Sequence, residues 1–201
     1  IWNTTASLDH QPYSYSKTLA EKEGWEIAES QDRWDMVAVN PSMVMGPALN
    51  AKSNTSESFS LLKQMGDGTM KMGVPNAGIG MVDVRDLADA HFQAGFRSEA
   101  KGRHIISGHD TSFLELAKTL HQDFGDKYPV PHKALPKWLL LFVGPMVNKA
   151  ITRKWVRNNV NQEWKADNSK SKNALGLRYR PMRETMKDGF EQMIESGVLK
   201  K

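Results

Sequence analysis

A tyrosine and a lysine four residues apart are the residues in this sequence whose types and spacing could support catalysis. Tyr13 and Lys17 lie within PYSYSKTLAEKEGW, residues 12–25, where the apolar residues recur at helical intervals. A spacing of four residues places both side chains on one face of a helix. A nearby ammonium group favours the phenolate and lowers the pKa of a tyrosine, which is about 10 in free solution. The pair is therefore either a catalytic couple or two surface residues that share a face.

The elements that would position this pair indicate an α/β protein. After the predicted helix, the run MVAVN, residues 36–40, is short, apolar and rich in β-branched residues, which predicts a buried parallel strand. We expect Pro41, Gly46 and Pro47 to break any further regular structure there. RHIISG, residues 103–108, predicts a second strand. Strands that alternate with helices favour an α/β sheet.

Other segments carry helix signals. Ser56 or Ser58 is placed to cap a helix through SFSLLKQMG, and a later helix is predicted to kink or break at Gly144 and Pro145. The segment RDLADAHFQAGF predicts a helix with one apolar face. That face contains Leu87, Ala88, His91, Phe92 and Gly95.

The composition excludes several kinds of protein. The chain has 201 residues and a formal charge of +4, too small to indicate a nucleic-acid partner. It has no cysteine, which excludes disulfides, thiolate zinc sites and thiol catalysis. The lack of cysteine also fits a reducing compartment, and we predict that the protein is cytoplasmic. The most apolar run, residues 138–144, is shorter than the ~20 residues of a spanning helix, so no membrane contact is expected. His104 and His109 lack acidic partners in the sequence, so no metal site is predicted.

A group of methionines recurs through the middle of the chain. Methionine adapts to irregular shapes, so these side chains either fill the core or line an apolar substrate pocket. We favour the core. The residues are Met43, Met45, Met65, Met70, Met72 and Met81.

Four separate stretches together resemble one family. They are PYSYSKTLAEK, VAVNPSMVMGP, MVDVRDLADAH and YRPMRETMKDGFEQMIESG. In this order and spacing they are similar to the extended, NAD-dependent epimerase/dehydratase-like short-chain dehydrogenase/reductases. Within these they resemble the dihydroflavonol reductase and cinnamoyl-CoA reductase branch and its bacterial relatives. The resemblance implies the C-terminal part of a Rossmann-type parallel sheet plus a mostly helical substrate-binding lobe.

The resemblance also divides the chain. Residues 1–110 would hold the C-terminal part of the dinucleotide-binding domain with interleaved segments of the lobe, and residues 111–201 mainly the lobe. The family's glycine-rich phosphate loop and its catalytic serine belong upstream of the tyrosine. GVPNAGIG, residues 73–80, is not a strand–turn–helix unit, and Ser7 is not assigned the serine's role. We therefore expect a C-terminal portion that lacks the loop and has little activity alone.

The resemblance assigns roles to the pair. Tyr13 would give its proton to a substrate carbonyl while hydride arrives from NAD(P)H, and Lys17 would hold the nicotinamide ribose. Tyr15 is the competing tyrosine, but it lies two residues from Lys17 and points to a different side of the helix. Asp83 and Arg85 are predicted to fix the loop ahead of their helix, a structural role.

The implied cofactor is NADP or NAD, with NADP preferred. The backbone of four residues at the end of the first strand would flank the nicotinamide amide, and Ser56 would lie by the phosphates. The four are Pro41, Ser42, Met43 and Val44.

Three functions remain open from the sequence. The first is an NAD(P)-dependent reductase acting on a small carbonyl or alcohol. The second is a sugar-nucleotide epimerase or dehydratase, and the third is a non-catalytic binding module on the same fold. An incomplete sheet would have an open edge, so self-association through that edge is also expected.

Overall fold

The computed structural model describes residues 2–53, 55–147 and 151–200. Five strands lie within these ranges: β1 Val37–Pro41, β2 Met43–Met45, β3 Gly78–Asp83, β4 Gly102–Ile106 and β5 His109–Ser112. The α-helices of the same ranges are α1 Pro12–Glu29, α2 Glu57–Gly66, α3 Val84–Phe96, α4 Phe113–Phe124, α5 Lys137–Val147, α6 Arg153–Asn159, α7 Ser169–Ala174 and α8 Met182–Glu195. A 3₁₀ turn covers Ala51–Ser53.

The strands form two small sheets. β1 pairs with β4 in parallel. In the second sheet β3 lies between β2, which is parallel to it, and β5, which is antiparallel. The chain passes from the first sheet to the second at Ser42, whose backbone N–H donates to the carbonyl of Ile106 at 3.0 Å. The predicted α/β class and the parallel strand after the first helix are confirmed.

β2 corrects the expectation that PSMVMGP has no regular structure. Pro41 and Pro47 lack a backbone N–H, but both lie outside the three residues of β2. Met43 to Met45 therefore keep all their donors and pair with Met81 to Asp83. The prolines limit this strand to three residues without preventing it.

The largest hydrophobic core lies between α2, α4, α8 and the second sheet. Phe190 of α8 is fully buried at its centre, with its ring 4.6 Å from that of Phe124 and 5.5 Å from that of Tyr128. Of the six methionines noted in the sequence, Met45, Met65 and Met81 are buried in this core, Met43 and Met70 are partly buried against it, and Met72 is exposed. Core filling is thus the main use of the methionines that the structure buries.

The apolar face predicted for α3 is mostly exposed. The exposed positions are Ala88, His91, Phe92 and Gly95. The structure buries Asp86 and Ala90 instead. Asp86 accepts hydrogen bonds from the backbone and the guanidinium of Arg180, so ion pairing buries a carboxylate that apolar spacing could not identify.

The glycines of residues 73–80 allow close packing. Gly78 and Gly80 lie in β3, and residues 162–164 pass directly over them. The Gly78 N–H donates to the carbonyl of Gln162 at 3.0 Å, and a Cβ atom at Gly80 would overlap the ring of Trp164. Glycine at these positions permits close approach to the strand.

Helix α5 runs through Gly144 and Pro145 to Val147, so the helix does not break at that dipeptide, and the alternative of a kink there stays a prediction. Proline removes the hydrogen bond to the carbonyl four residues earlier, which here belongs to Leu141. The guanidinium of Arg153 donates to that carbonyl at 3.3 Å. A side chain from α6 therefore replaces the partner that the proline removes.

His104 of β4 is a buried side chain that is expected to make folding sensitive to acid. Its side chain is fully buried, and neither ring nitrogen has a hydrogen-bond partner among the described residues. Burial, followed by the charge of Lys170, lowers its pKa below the usual value. The unfolded chain therefore takes up a proton near pH 6.5 that the folded chain takes up only at lower pH.

The free energy of unfolding is accordingly expected to fall as the pH drops below about 6.5, the histidine pKa of the unfolded chain. In His104→Leu this part of the pH dependence should disappear, because leucine does not titrate. Urea titrations of both proteins between neutral and mildly acidic pH measure the difference. Parallel pH profiles for the two proteins would contradict this role of His104.

Candidate active site

Tyr13 and Lys17 meet at the start of α1. The helix begins at Pro12, and its N-cap residue Gln11 has a positive φ of 55°. The Lys17 ammonium lies 5.5 Å from the centroid of the Tyr13 ring. Tyr13 is 73% exposed, so its hydroxyl is accessible to a ligand, whereas Tyr15 is half-buried. The two side chains therefore share a face, as their spacing predicts.

A charged pair holds α1 against the first sheet. Arg103 of β4 donates to both carboxylate oxygens of Glu21, at 2.6 and 3.0 Å. The guanidinium of Arg103 also lies 4.2 Å from the centroid of the Trp2 ring. The hydrogen bond from Arg103 is the main reason that the pKa of Glu21 is lowered. Since Ala28 is the one described residue of α1 that is buried, this polar contact is important for the position of the helix.

The four residues predicted beside the nicotinamide lie where the chain changes sheets. Pro41 ends β1, Ser42 joins the two strands, and Met43 and Val44 belong to β2. Ligands of α/β sheets bind outside the carboxyl ends of parallel strands, and β1 ends here. The Ser42 hydroxyl is buried and lacks a hydrogen-bond partner within the described ranges, so it could serve a polar group of a ligand.

A cavity of about 700 Å³ lies beside β2 and the start of α2. Two of the predicted residues line it, Val44 and Ser56. Tyr13, Lys17 and Ser42 are not part of its wall. Sequence reasoning missed most of its lining, including Gly46, Pro47, Ala48, Phe59, Val84 and Arg85.

Ser56 shapes this cavity by starting α2. Its hydroxyl oxygen accepts a hydrogen bond from the backbone N–H of Phe59 at 3.3 Å, which confirms Ser56 as the N-cap residue. A helix N-terminus favours anionic groups such as phosphates. The hydroxyl-bearing residues Ser56 and Ser58 and the cation Arg85 line the cavity among apolar residues, while the acidic Glu57 lies in the first turn of α2.

The C-terminal helix α8 holds the loop that forms one wall of the cavity. The side-chain amide of Gln192 donates to the carbonyl of Ala48 at 2.7 Å and accepts from the Ala48 N–H at 2.7 Å. One turn earlier, Gly189 lies so close to Gly46 that a Cβ atom would be 3.1 Å from the Gly46 carbonyl. A separation of 144 residues explains why no local pattern revealed this clamp.

Replacing Gln192 with leucine is expected to destabilise the fold by about 2 kcal/mol, because two hydrogen bonds worth roughly 1 kcal/mol each are lost. Gln192→Glu is the companion variant. It keeps an acceptor for the Ala48 N–H but sets a carboxylate oxygen against the Ala48 carbonyl, so it should also destabilise the loop. Urea unfolding measures the stabilities, and amide exchange at Ala48 reports the loop directly. Unchanged exchange at Ala48 in Gln192→Leu would show that the amide does not hold the loop.

An ion-pair network joins α8 to the start of α3. Asp83 is buried, caps α3 through the Arg85 N–H, and accepts from the Arg85 guanidinium at 2.7 and 2.9 Å. Arg85 also binds Asp188 at 2.7 Å. Burial by itself would raise the pKa of Asp83, but the hydrogen bonds from Arg85 outweigh it and lower the pKa. Asp83 and Arg85 thus fix the segment ahead of the helix, as the sequence predicts.

Comparison with known proteins identifies the family. Residues 3–107 match the NAD dependent epimerase/dehydratase family. This match covers more than half of the chain.

The chain belongs to the NAD dependent epimerase/dehydratase family.

Two curated relatives of the chain carry reductase names. The chain is 30% identical to cinnamoyl-CoA reductase 2 of Medicago truncatula over 187 residues, which are 93% of this chain and 48% of that protein. It is 29% identical to the NADPH-dependent methylglyoxal reductase GRE2 of Saccharomyces cerevisiae over 201 aligned residues, 96% of this chain and 54% of that protein. The chain therefore spans about half the length of these curated relatives.

Solved structures show the same fold. The NADPH complex of Gre2 from Candida albicans superposes with a TM-score of 0.70 at 23% identity, covering 97% of this chain and 56% of that chain. A UDP-glucose-4-epimerase from Stenotrophomonas maltophila with bound NAD gives a TM-score of 0.69 at 16% identity, covering 98% and 59%. The Rossmann-type class implied by the sequence is confirmed, because reductase and epimerase structures of that class both superpose on this member of the family.

Proposed function

We propose that this chain carries the proton donor and part of the cofactor site of an NADPH-dependent carbonyl reductase. The observation that carries the proposal is the pairing of Tyr13 and Lys17 on one exposed helical face, with the ammonium 5.5 Å from the ring centroid. The reductase names of the relatives support this function over the other members of the fold class. The substrate class is a small carbonyl compound or the corresponding alcohol.

Different residues of the chain would donate the proton and bind the cofactor. Bound NADPH supplies hydride to the carbonyl carbon. Tyr13 gives its phenolic proton to the carbonyl oxygen, and Lys17 would hold the nicotinamide ribose. Ser42 and Val44 orient the carboxamide end of the cofactor, while Ser56 and the N-terminus of α2 bind its phosphates. The two hydrogen bonds between Gln192 and Ala48 hold the loop that forms one wall of the cavity.

The test is titration with NADPH and NADH, followed by assay of NADPH consumption with small aldehydes and ketones. It is done on the longest natural protein that contains these 201 residues, because the chain spans about half of its relatives. We expect tighter binding of NADPH and carbonyl-dependent consumption. Binding without turnover of any carbonyl would instead indicate a binding module, and conversion of a sugar nucleotide without net NADPH consumption would indicate an epimerase.

Two further proposals follow from the sequence. We place residues 1–110 mainly in the dinucleotide-binding part and residues 111–201 mainly in the substrate lobe.

Self-association through the first sheet is proposed because β1 and β4 have only each other as neighbours in that sheet within the described ranges. Sedimentation velocity at several protein concentrations measures this association.

A further inference from the structure

Helix α5 presents a stripe of large apolar side chains to solvent. Trp138, Phe142 and Met146 are 64%, 66% and 87% exposed. They are spaced four residues apart, so they line up along one face of the helix. Soluble proteins rarely expose apolar groups together in this way unless the surface binds something.

The packing of α6 fixes the direction of this stripe. Leu140, on the other face of α5, is buried against Val156 and Val160. The ammonium of Lys137 donates to the carbonyls of Arg157 and Val160, both at 3.0 Å, and so joins the start of α5 to the end of α6. The stripe is therefore held outward by a packed helix pair and cannot turn into the core without breaking these contacts.

The charged residues in the segment that contains α5 and α6 all have one sign. From residue 127 to residue 162 the sequence contains lysines and arginines but no aspartate or glutamate. The whole chain carries 23 acidic residues against 27 basic ones, so this segment departs sharply from the average. On α6, Arg153, Lys154 and Arg157 are exposed. An apolar stripe thus lies beside a purely cationic helix.

We propose that α5 and α6 together dock on an anionic lipid surface. Trp138, Phe142 and Met146 would enter the boundary between headgroups and acyl chains, and the cations of α6 would bind the lipid phosphates. Tryptophan suits this boundary because its ring is apolar and its N–H is polar. A second copy of the chain fits less well, since two such surfaces would bring like charges together.

This contact lies on the bilayer and does not cross it. α5 has 11 residues, and no helix in residues 2–53, 55–147 and 151–200 is long and apolar enough to span a membrane. The expectation of no membrane contact came from the lack of a spanning run, which says nothing about a helix that lies in the interface. The proposal does not depend on the reductase function.

The experiment is co-sedimentation with vesicles of phosphatidylcholine, with and without phosphatidylserine. We expect binding at least about tenfold stronger to the vesicles that contain phosphatidylserine, and weaker binding as salt is added. The combined variant Trp138→Ser, Phe142→Ser, Met146→Ser should lose this binding. The matched control is Phe92→Ser with Phe96→Ser, an exposed pair of rings on α3 with centroids 4.8 Å apart, and it should bind like the wild type.

Three results would overturn the proposal. They are equal or absent binding to both kinds of vesicle, unchanged binding by the triple variant, and a dimer on gel filtration that the triple variant abolishes. Circular dichroism checks that each variant is folded. If the triple variant does not fold, Lys154→Glu with Arg157→Glu replaces it, since both side chains are exposed, and retained binding by that variant would equally refute the contact.

Discussion

Replacing Tyr13 with phenylalanine is expected to lower kcat for carbonyl reduction by about 10²- to 10⁴-fold, the range for loss of a general acid. The ring is 73% exposed, so removal of its hydroxyl should leave the stability unchanged. Binding of NADPH should also be preserved, because the proposed contacts of Tyr13 are with the substrate oxygen. Steady-state kinetics and NADPH titration of the same protein separate the two effects.

The neighbouring tyrosine gives a matched control for this substitution. Tyr15 lies on the same helix but is half-buried, and its spacing of two residues from Lys17 places it on a different side of the helix. Tyr15→Phe should therefore keep kcat within about twofold, since it leaves the proposed acid in place. Equal losses in both variants would argue that the hydroxyls act through the fold, and full activity of Tyr13→Phe would exclude Tyr13 as the proton donor.

Replacing Asp83 with alanine is expected to destabilise the protein by about 3 kcal/mol, the lower end for breaking a buried ion pair. The Asp83 carboxylate is buried, whereas Arg85 is one-third exposed and keeps Asp188 as a partner, which limits the loss. The substitution also removes the N-cap of α3. In a chain of this size the melting temperature should fall by roughly 6–12 °C.

The pH dependence of the same pair has a definite sign. The pKa of Asp83 is lowered in the folded protein, so its contribution to stability is present above the unfolded pKa of about 3.9 and is lost as the pH falls through the folded pKa. Asp83→Asn should keep part of the cap and remove this dependence. Asp89→Ala is the surface control for Asp83→Ala, since Asp89 lies on α3 and is exposed. Similar melting temperatures for the two variants would refute the stabilising role of the Asp83–Arg85 ion pair.

The first helix shows how much local pattern can determine. The spacing of Tyr13 and Lys17, the proline before them and the apolar period that follows depend only on residues within about two turns. The structure gives α1 the bounds Pro12–Glu29 and places both side chains on one face. The cap at Ser56 was equally local, because it depends on residues 56–59 alone.

The wall of the cavity shows where local pattern fails. The contact between Ala48 and Gln192 joins residues 144 positions apart, and neither residue has a neighbour in sequence that indicates the other. The face of α3 was assigned wrongly for the same reason. Arg180, 94 positions away, buries Asp86 by pairing with its charge, and apolar periodicity does not contain that information.

The sequence by itself therefore determined the α/β class, the family resemblance and the tyrosine–lysine face, and it limited the start of α2 to Ser56 or Ser58, because periodicity and capping act over a few residues. Only the tertiary structure decided which residues line the cavity, that Met43–Met45 form a strand, and that Trp138, Phe142 and Met146 remain exposed. Each of these depends on which distant segment lies opposite, and that is set by the packing of the whole chain.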